Sequence, residues 1–164
     1  HDSMEIILDR DLLPFKAATK SKVGMVMMAH LLIPSIDSEN MTTVSPKSYE
    51  FLRKELRFEG IIITDDMEMG AIVNNFTPAE ATFRALKSGA TLVEFRSFEK
   101  AREALEGLST LDSIDKIVHD NLGIISKQKQ KLFKKMNKST TPEEEVFRNG
   151  DKLKNKISLD LKNL

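Results

Sequence analysis

The stretch Gly60-Ile61-Ile62-Ile63-Thr64-Asp65-Asp66-Met67 constrains the fold of this chain more than any other. Three successive β-branched apolar residues leave no polar face, so the run predicts a strand over 60–64 that is buried on both sides. Strands of that kind belong to parallel sheets covered by helices. The run stops abruptly at two carboxylates. In α/β proteins chemistry gathers at the C-terminal ends of parallel strands, so Asp65 and Asp66 stand where a catalytic acid is expected. The pattern alone leaves open a plainer role for each, as a helix cap or loop acid.

The flanking sequence supplies the other parts of an α/β fold. Residues 5–21 read as a helix with Ile6, Ile7, Leu12, Leu13 and Phe15 apolar and a break at Pro14. Val23-Gly24-Met25-Val26-Met27-Met28-Ala29 predicts a second buried strand that ends at His30. A polar loop over 34–44 follows. Ser45-Pro46-Lys47 predicts a helix start, with Tyr49, Leu52 and Leu56 on one face. Thr77-Pro78-Ala79-Glu80 predicts another helix, ending at Gly89, and Ala90 to Phe95 a third strand. Strands separated by helix-length connections must be parallel. Beyond Phe98 one or two helices are expected, then a lysine-rich stretch over 127–138. A charged tail follows, with a further helix start at Thr141-Pro142-Glu143-Glu144 and a last amphipathic segment through Leu153, Ile157, Leu159 and Leu161.

Acidic and basic residues number 25 each, so no net field favours nucleic acid or a membrane surface. The lysine stretch has only Phe133 among its cations and reads as a solvated face. With no cysteine there are no disulfides or thiolate metal sites. The three histidines, His1, His30 and His119, lack metal-ligand spacing, so no metal site is expected. No apolar run has the length of a membrane span.

An ordered set of fragments carries a family resemblance. It runs Leu12-Leu13-Pro14-Phe15, Val26-Met27-Met28-Ala29-His30, Pro34-Ser35-Ile36-Asp37, Ser45, Leu52-Arg53-Lys54-Glu55-Leu56-Arg57-Phe58-Glu59-Gly60 and Ile62-Ile63-Thr64-Asp65-Asp66-Met67-Glu68-Met69. Over residues 5–135 this resembles glycoside hydrolase family 3, specifically its NagZ-type β-N-acetylhexosaminidases. The resemblance implies an α/β fold that is the C-terminal part, about three strands, of a TIM (β/α)8 barrel. It also implies a retaining enzyme that removes β-linked N-acetylglucosamine, with Asp65 as the nucleophile. His30 and Met67 are implied to lie at the sugar site as substrate-binding residues, and Asp66 is left to cap or hydrogen-bond the adjoining loop. No cofactor is implied. The implied partners are a carbohydrate substrate, an N-acetylglucosamine-containing muropeptide, and the N-terminal part of the same barrel.

The chain departs from the family in three places. The lysine-histidine-phenylalanine-proline-glycine binding motif and the aspartate-serine-histidine acid/base loop are absent, and the third strand carries Thr91 and Glu94 where the family has aspartate and an apolar residue. The expected organisation is a barrel segment over 1–135 and a charged helical tail over 136–164. Inactivity of the chain by itself is expected, and a non-catalytic barrel remnant or a β-glucosidase of the same family are the alternatives. The cytoplasm is the expected compartment. The periplasm or secretion stays open, because the N-terminus has the look of a cut end.

Overall fold

The computed structural model describes residues 3–109 and 114–136. The chain divides into two compact units, His1–Gln128 and Lys129–Leu164. Of the second, only the continuation of the last helix through Met136 is described. The helix start at Thr141 and the segment from Leu153 to Leu161 lie outside the described residues.

A short α1 (Met4–Ile6) is capped by the Ser3 hydroxyl, which accepts from the Ile6 N–H. It passes through a wide π turn over Ile7–Asp11 into α2 (Leu13–Lys20). Pro14 falls in the first turn of α2, where its missing N–H costs nothing. The expected break is therefore a restart of the helix. The chain continues through β1 (Met25–Met28), a 3-10 turn over Thr42–Val44, α3 (Pro46–Lys54), β2 (Ile61–Asp66), α4 (Gly70–Val73), α5 (Pro78–Ser88), β3 (Leu92–Glu94), α6 (Phe98–Leu108) and α7 (Ile114–Met136). The strands form one sheet in the order β1-β2-β3, with both pairings parallel.

The punctuation read from the sequence is present. Ser45 caps α3 by accepting the Ser48 N–H, with Pro46 in the first turn. Thr77 caps α5 by accepting the Glu80 N–H, again with proline following. Gly89 closes α5 with a φ of +128°, a conformation that a side chain resists. Tyr49, Leu52, Leu56, Phe58, Ile62, Met67, Ile72, Ala81, Ala85 and Ala90 form the core between these helices and the sheet. Burial drives the Tyr49 phenol upward in pKa, and its hydroxyl donates to the Thr43 carbonyl at 2.9 Å. On α7, Lys127, Lys129, Lys131, Lys134 and His119 are exposed.

Three expectations are revised. β2 runs two residues further than predicted and takes in both acids. β1 is shorter, and it is not buried on both sides: Met25 and Met27 are 43% and 51% exposed. The cause is its position at the sheet edge, since among the described residues β1 pairs with β2 alone. Beside it, Leu12, Phe15, Val26, Met28, Leu52 and Leu56 line an apolar cavity of about 450 Å³. The third difference is the loop over 34–44, read as polar, part of which is buried. Asp37, Thr42, Thr43 and Val44 are all buried.

The strand with the non-family residues forms nonetheless. Thr91 donates its N–H to the Ile62 carbonyl at 2.7 Å and accepts the Ile62 N–H on its hydroxyl at 3.2 Å. One β-branched residue thus supplies both the backbone and the side-chain link that start the β2–β3 pairing.

Asp37 organises the buried part of this loop. It is 3% exposed and accepts from the Ser45 hydroxyl at 2.7 Å, the Glu39 N–H at 3.1 Å, the Asn40 N–H at 3.3 Å and the Asn40 amide at 3.2 Å. The Ser45 hydroxyl first, then the Glu39 N–H, favour the ionised form and hold the pKa at about 2, below the usual 3.8. A carboxylate whose pKa is depressed by folding contributes its stabilisation above the unfolded value and loses it as pH falls through the folded one. The contribution of Asp37 is therefore expected to fade from pH 3.8 down to about 2. Thermal melts against pH should show an acid limb in that window that flattens in Asp37→Asn. An identical limb in the variant would assign it to other carboxylates.

Candidate active site

The two acids close the central strand of the sheet, and the strand is irregular where they lie. Ile63 pairs with Leu92 and Asp66 with Glu94, so β2 spends one residue more than β3 over the same interval. This is a β-bulge, a device that re-aims side chains and recurs beside active sites. The Thr64 hydroxyl accepts the Glu94 N–H at 3.0 Å, taking a ladder position that the bulge vacates.

Asp65 and Asp66 have different surroundings. The Asp65 carboxylate is partly exposed, and its Oδ1 accepts the Asp66 N–H at 2.8 Å. Asp66 turns into the loop that follows: its Oδ1 accepts the Glu68 N–H at 2.9 Å, and its Oδ2 lies 3.9 Å from Arg96. The cap of α4 is Met69, without a side-chain bond, so Asp66 serves the loop rather than the helix. Arg96 also lies 4.0 Å from Glu68, whose carboxylate accepts the Ser97 N–H and, at 3.0 Å, the Ser97 hydroxyl. The loop after β2 is thereby tied to the loop after β3.

His30, just past the end of β1, reaches the same place. Its Nδ1 is 2.6 Å from the Thr43 hydroxyl and its Nε2 is 2.9 Å from the Asp66 carbonyl oxygen. Met67 follows the acids and is 1% exposed. Together with Glu68, Phe76, Phe95 and Lys100 it lines a cavity of about 300 Å³. Thus His30, Asp65, Asp66 and Met67 cluster around the end of β2. Thr43, Glu68 and Arg96 belong to the same cluster and went unread in the sequence. Glu68 had a signal, since it lies within the motif itself. Thr43 and Arg96 had none, because their partners are 13 and 30 residues away. Among the described residues no group of three or more His, Asp or Glu side chains could hold a metal ion, and no helix is long and apolar enough to cross a membrane.

Parallel strands wound with helices, with a partly exposed carboxylate at the C-terminal end of the central strand, define an α/β protein, a class that carries its sites at the strand ends. Residues 1–122 match the model of the glycosyl hydrolase family 3 N-terminal domain. The chain belongs to glycosyl hydrolase family 3. It is 33% identical over 99 residues to a protein named β-hexosaminidase A from Pseudoalteromonas piscicida, covering 52% of this chain and 17% of that protein. A β-hexosaminidase from Glaesserella parasuis is 34% identical over 92 residues, covering 54% and 26%. Among solved structures, CbsA from Thermotoga neapolitana superposes with a TM-score of 0.71 at 31% identity, over 77% of this chain and 30% of that one. A family 3 β-N-acetylglucosaminidase from Paenibacillus sp. superposes with a TM-score of 0.72 at 28% identity, over 79% and 26%. The chain therefore spans about a quarter of the length of the relatives it matches.

Proposed function

We propose that this chain is the C-terminal part of the catalytic barrel of a retaining exo-β-N-acetylglucosaminidase, with Asp65 as its nucleophile. The observation that carries the reading is the place of Asp65: partly exposed at the end of the central strand, inside the family-matched segment, with one oxygen held by the Asp66 N–H. In such an enzyme the free carboxylate oxygen attacks the anomeric carbon, the bond to the leaving oxygen breaks, and the resulting glycosyl ester is hydrolysed by water. The proton for the leaving group comes from an acid outside this chain. Met67 backs the site from the core. Peptidoglycan fragments bearing N-acetylglucosamine are the proposed substrates, acted on in the cytoplasm.

The remaining barrel strands are the proposed partner of the β1 edge. Exposed Met25, Met27, Leu31 and Leu32 and the apolar cavity beside them favour this reading, because an open strand edge flanked by apolar surface invites pairing. The full-length protein is expected to hydrolyse a nitrophenyl N-acetyl-β-glucosaminide, with the β-anomer of N-acetylglucosamine as first product by NMR. The isolated 164-residue chain should be inactive. Preference for the nitrophenyl β-glucoside would move the protein to the other branch of the family, and absence of any hydrolysis would leave a non-catalytic remnant.

A further inference from the structure

We infer that His30 is a positioning residue for the nucleophile: it acts by holding the Asp66 carbonyl, not by touching the sugar. This rests on the reading of Asp65 as nucleophile. The β1–β2 register runs from Met25 opposite Ile61 to Met28 opposite Thr64, so its continuation sets residue 30 opposite residue 66. The backbone pairing stops at Met28, and beyond it the imidazole of His30 meets the Asp66 carbonyl across the strand ends.

The proton count fixes the ring. A carbonyl oxygen only accepts, so the Nε2 facing Asp66 must carry hydrogen. In the neutral imidazole Nδ1 then accepts, and the Thr43 hydroxyl, 2.6 Å away, is its donor. Thr43 also lies 3.0 Å from the Ala29 carbonyl, which the Thr42 hydroxyl already supplies with a donor, whereas a neutral ring protonated at Nε2 leaves Nδ1 with no proton of its own, so the single Thr43 proton goes to the shorter contact with the ring. Thr43 is itself fully buried, and the Tyr49 hydroxyl donates to its carbonyl. Both ring nitrogens are thus committed to the protein.

The consequence reaches Asp65 through one residue. The peptide joining Asp66 to Met67 is clamped on both sides: its carbonyl by His30 at 2.9 Å, its N–H by the Glu94 carbonyl at 3.0 Å. Peptide units are planar, and only φ and ψ of Asp66 separate this one from the N–H that holds the Asp65 carboxylate. Fixing one peptide therefore aims the other. Without His30 the carbonyl loses its partner and the Asp65 carboxylate loses its fixed direction of attack.

The test uses the full-length protein and a nitrophenyl N-acetyl-β-glucosaminide. His30→Leu removes the donor and His30→Gln can return one at the Nε2 position. A misaligned reacting group costs on the order of a hundredfold, so kcat in His30→Leu should fall about tenfold to a hundredfold, with KM within about twofold, and His30→Gln should recover most of the loss. A rise in KM with kcat retained would make His30 a sugar contact and overturn the inference. Trapping with a fluorinated N-acetylglucosaminyl fluoride separates the two layers. Failure to label Asp65 in the wild type would sink the nucleophile reading. Labelling of Asp65 at equal rates in wild type and His30→Leu would sink the positioning role alone. Long-range proton–nitrogen NMR of the folded wild type, which needs no variant, should show His30 protonated at Nε2, and an Nδ1–H tautomer would overturn the geometry.

Discussion

Asp65→Asn in the full-length protein is expected to lower kcat on an aryl N-acetylglucosaminide by about 10⁴-fold or more, the scale on which loss of a covalent nucleophile acts. Each factor of ten in rate is about 1.4 kcal/mol, so the barrier rises by about 5.5 kcal/mol. The amide keeps the oxygen that accepts the Asp66 N–H, so the end of β2 should survive and the melting temperature should barely move. Asp66→Asn is the control. It too retains an acceptor, for the Glu68 N–H, and it gives up a 3.9 Å approach to an Arg96 side chain that is 74% exposed. Solvent-screened pairs of that kind contribute at most about 1 kcal/mol, so turnover in Asp66→Asn should remain within about tenfold of wild type. Near-normal turnover in Asp65→Asn, or equal losses in the two variants, would remove Asp65 from the mechanism.

What could be read from the sequence was what nearest neighbours decide. Ser45 and Thr77 before prolines, Gly89 after a helix and the isoleucine run of β2 each carry their structural reason within a few residues. The family resemblance then gave Asp65 and Asp66 different roles that no local pattern could separate. Features that depend on distant partners were hidden. The exposure of Met25 and Met27 follows from β1 pairing, among the described residues, with β2 alone, which the composition of the strand does not encode. The burial of Asp37 within the 34–44 loop goes with donors it gathers from as far as Ser45, and that of Thr42 and Thr43 with their bonds to the Ala29 carbonyl. The contact of His30 with the Asp66 carbonyl spans 36 residues and exists only because two parallel strands end side by side.

Ile62→Ala is the substitution expected to cost the fold most, about 2–5 kcal/mol, a large share of the stability of an ordinary domain. Ile62 is 0% exposed, the second residue of the central strand and within the main core. Losing its three outer carbons forfeits about 2.4 kcal/mol at roughly 0.8 kcal/mol per buried methylene. The remainder depends on how far the surroundings can collapse into the space. Here the backbone is fastened on both sides, by the ladder to β1 and by two hydrogen bonds to Thr91, so little relaxation is available and the upper half of the range is expected. Ile62→Val removes one methylene and should cost about 0.5–1.5 kcal/mol. Urea denaturation should show the midpoint falling in that order with an unchanged slope, because the surface exposed on unfolding is nearly the same. Equal costs for valine and alanine would mean that the far end of Ile62 is not packed. Below the unfolding transition, turnover in Ile62→Ala should stay near wild type, since Asp65 is held by Asp66 and not by the side chain of Ile62. A fall in kcat in the fully folded variant would show that core packing behind β2, and not only the clamp at its end, aims the nucleophile.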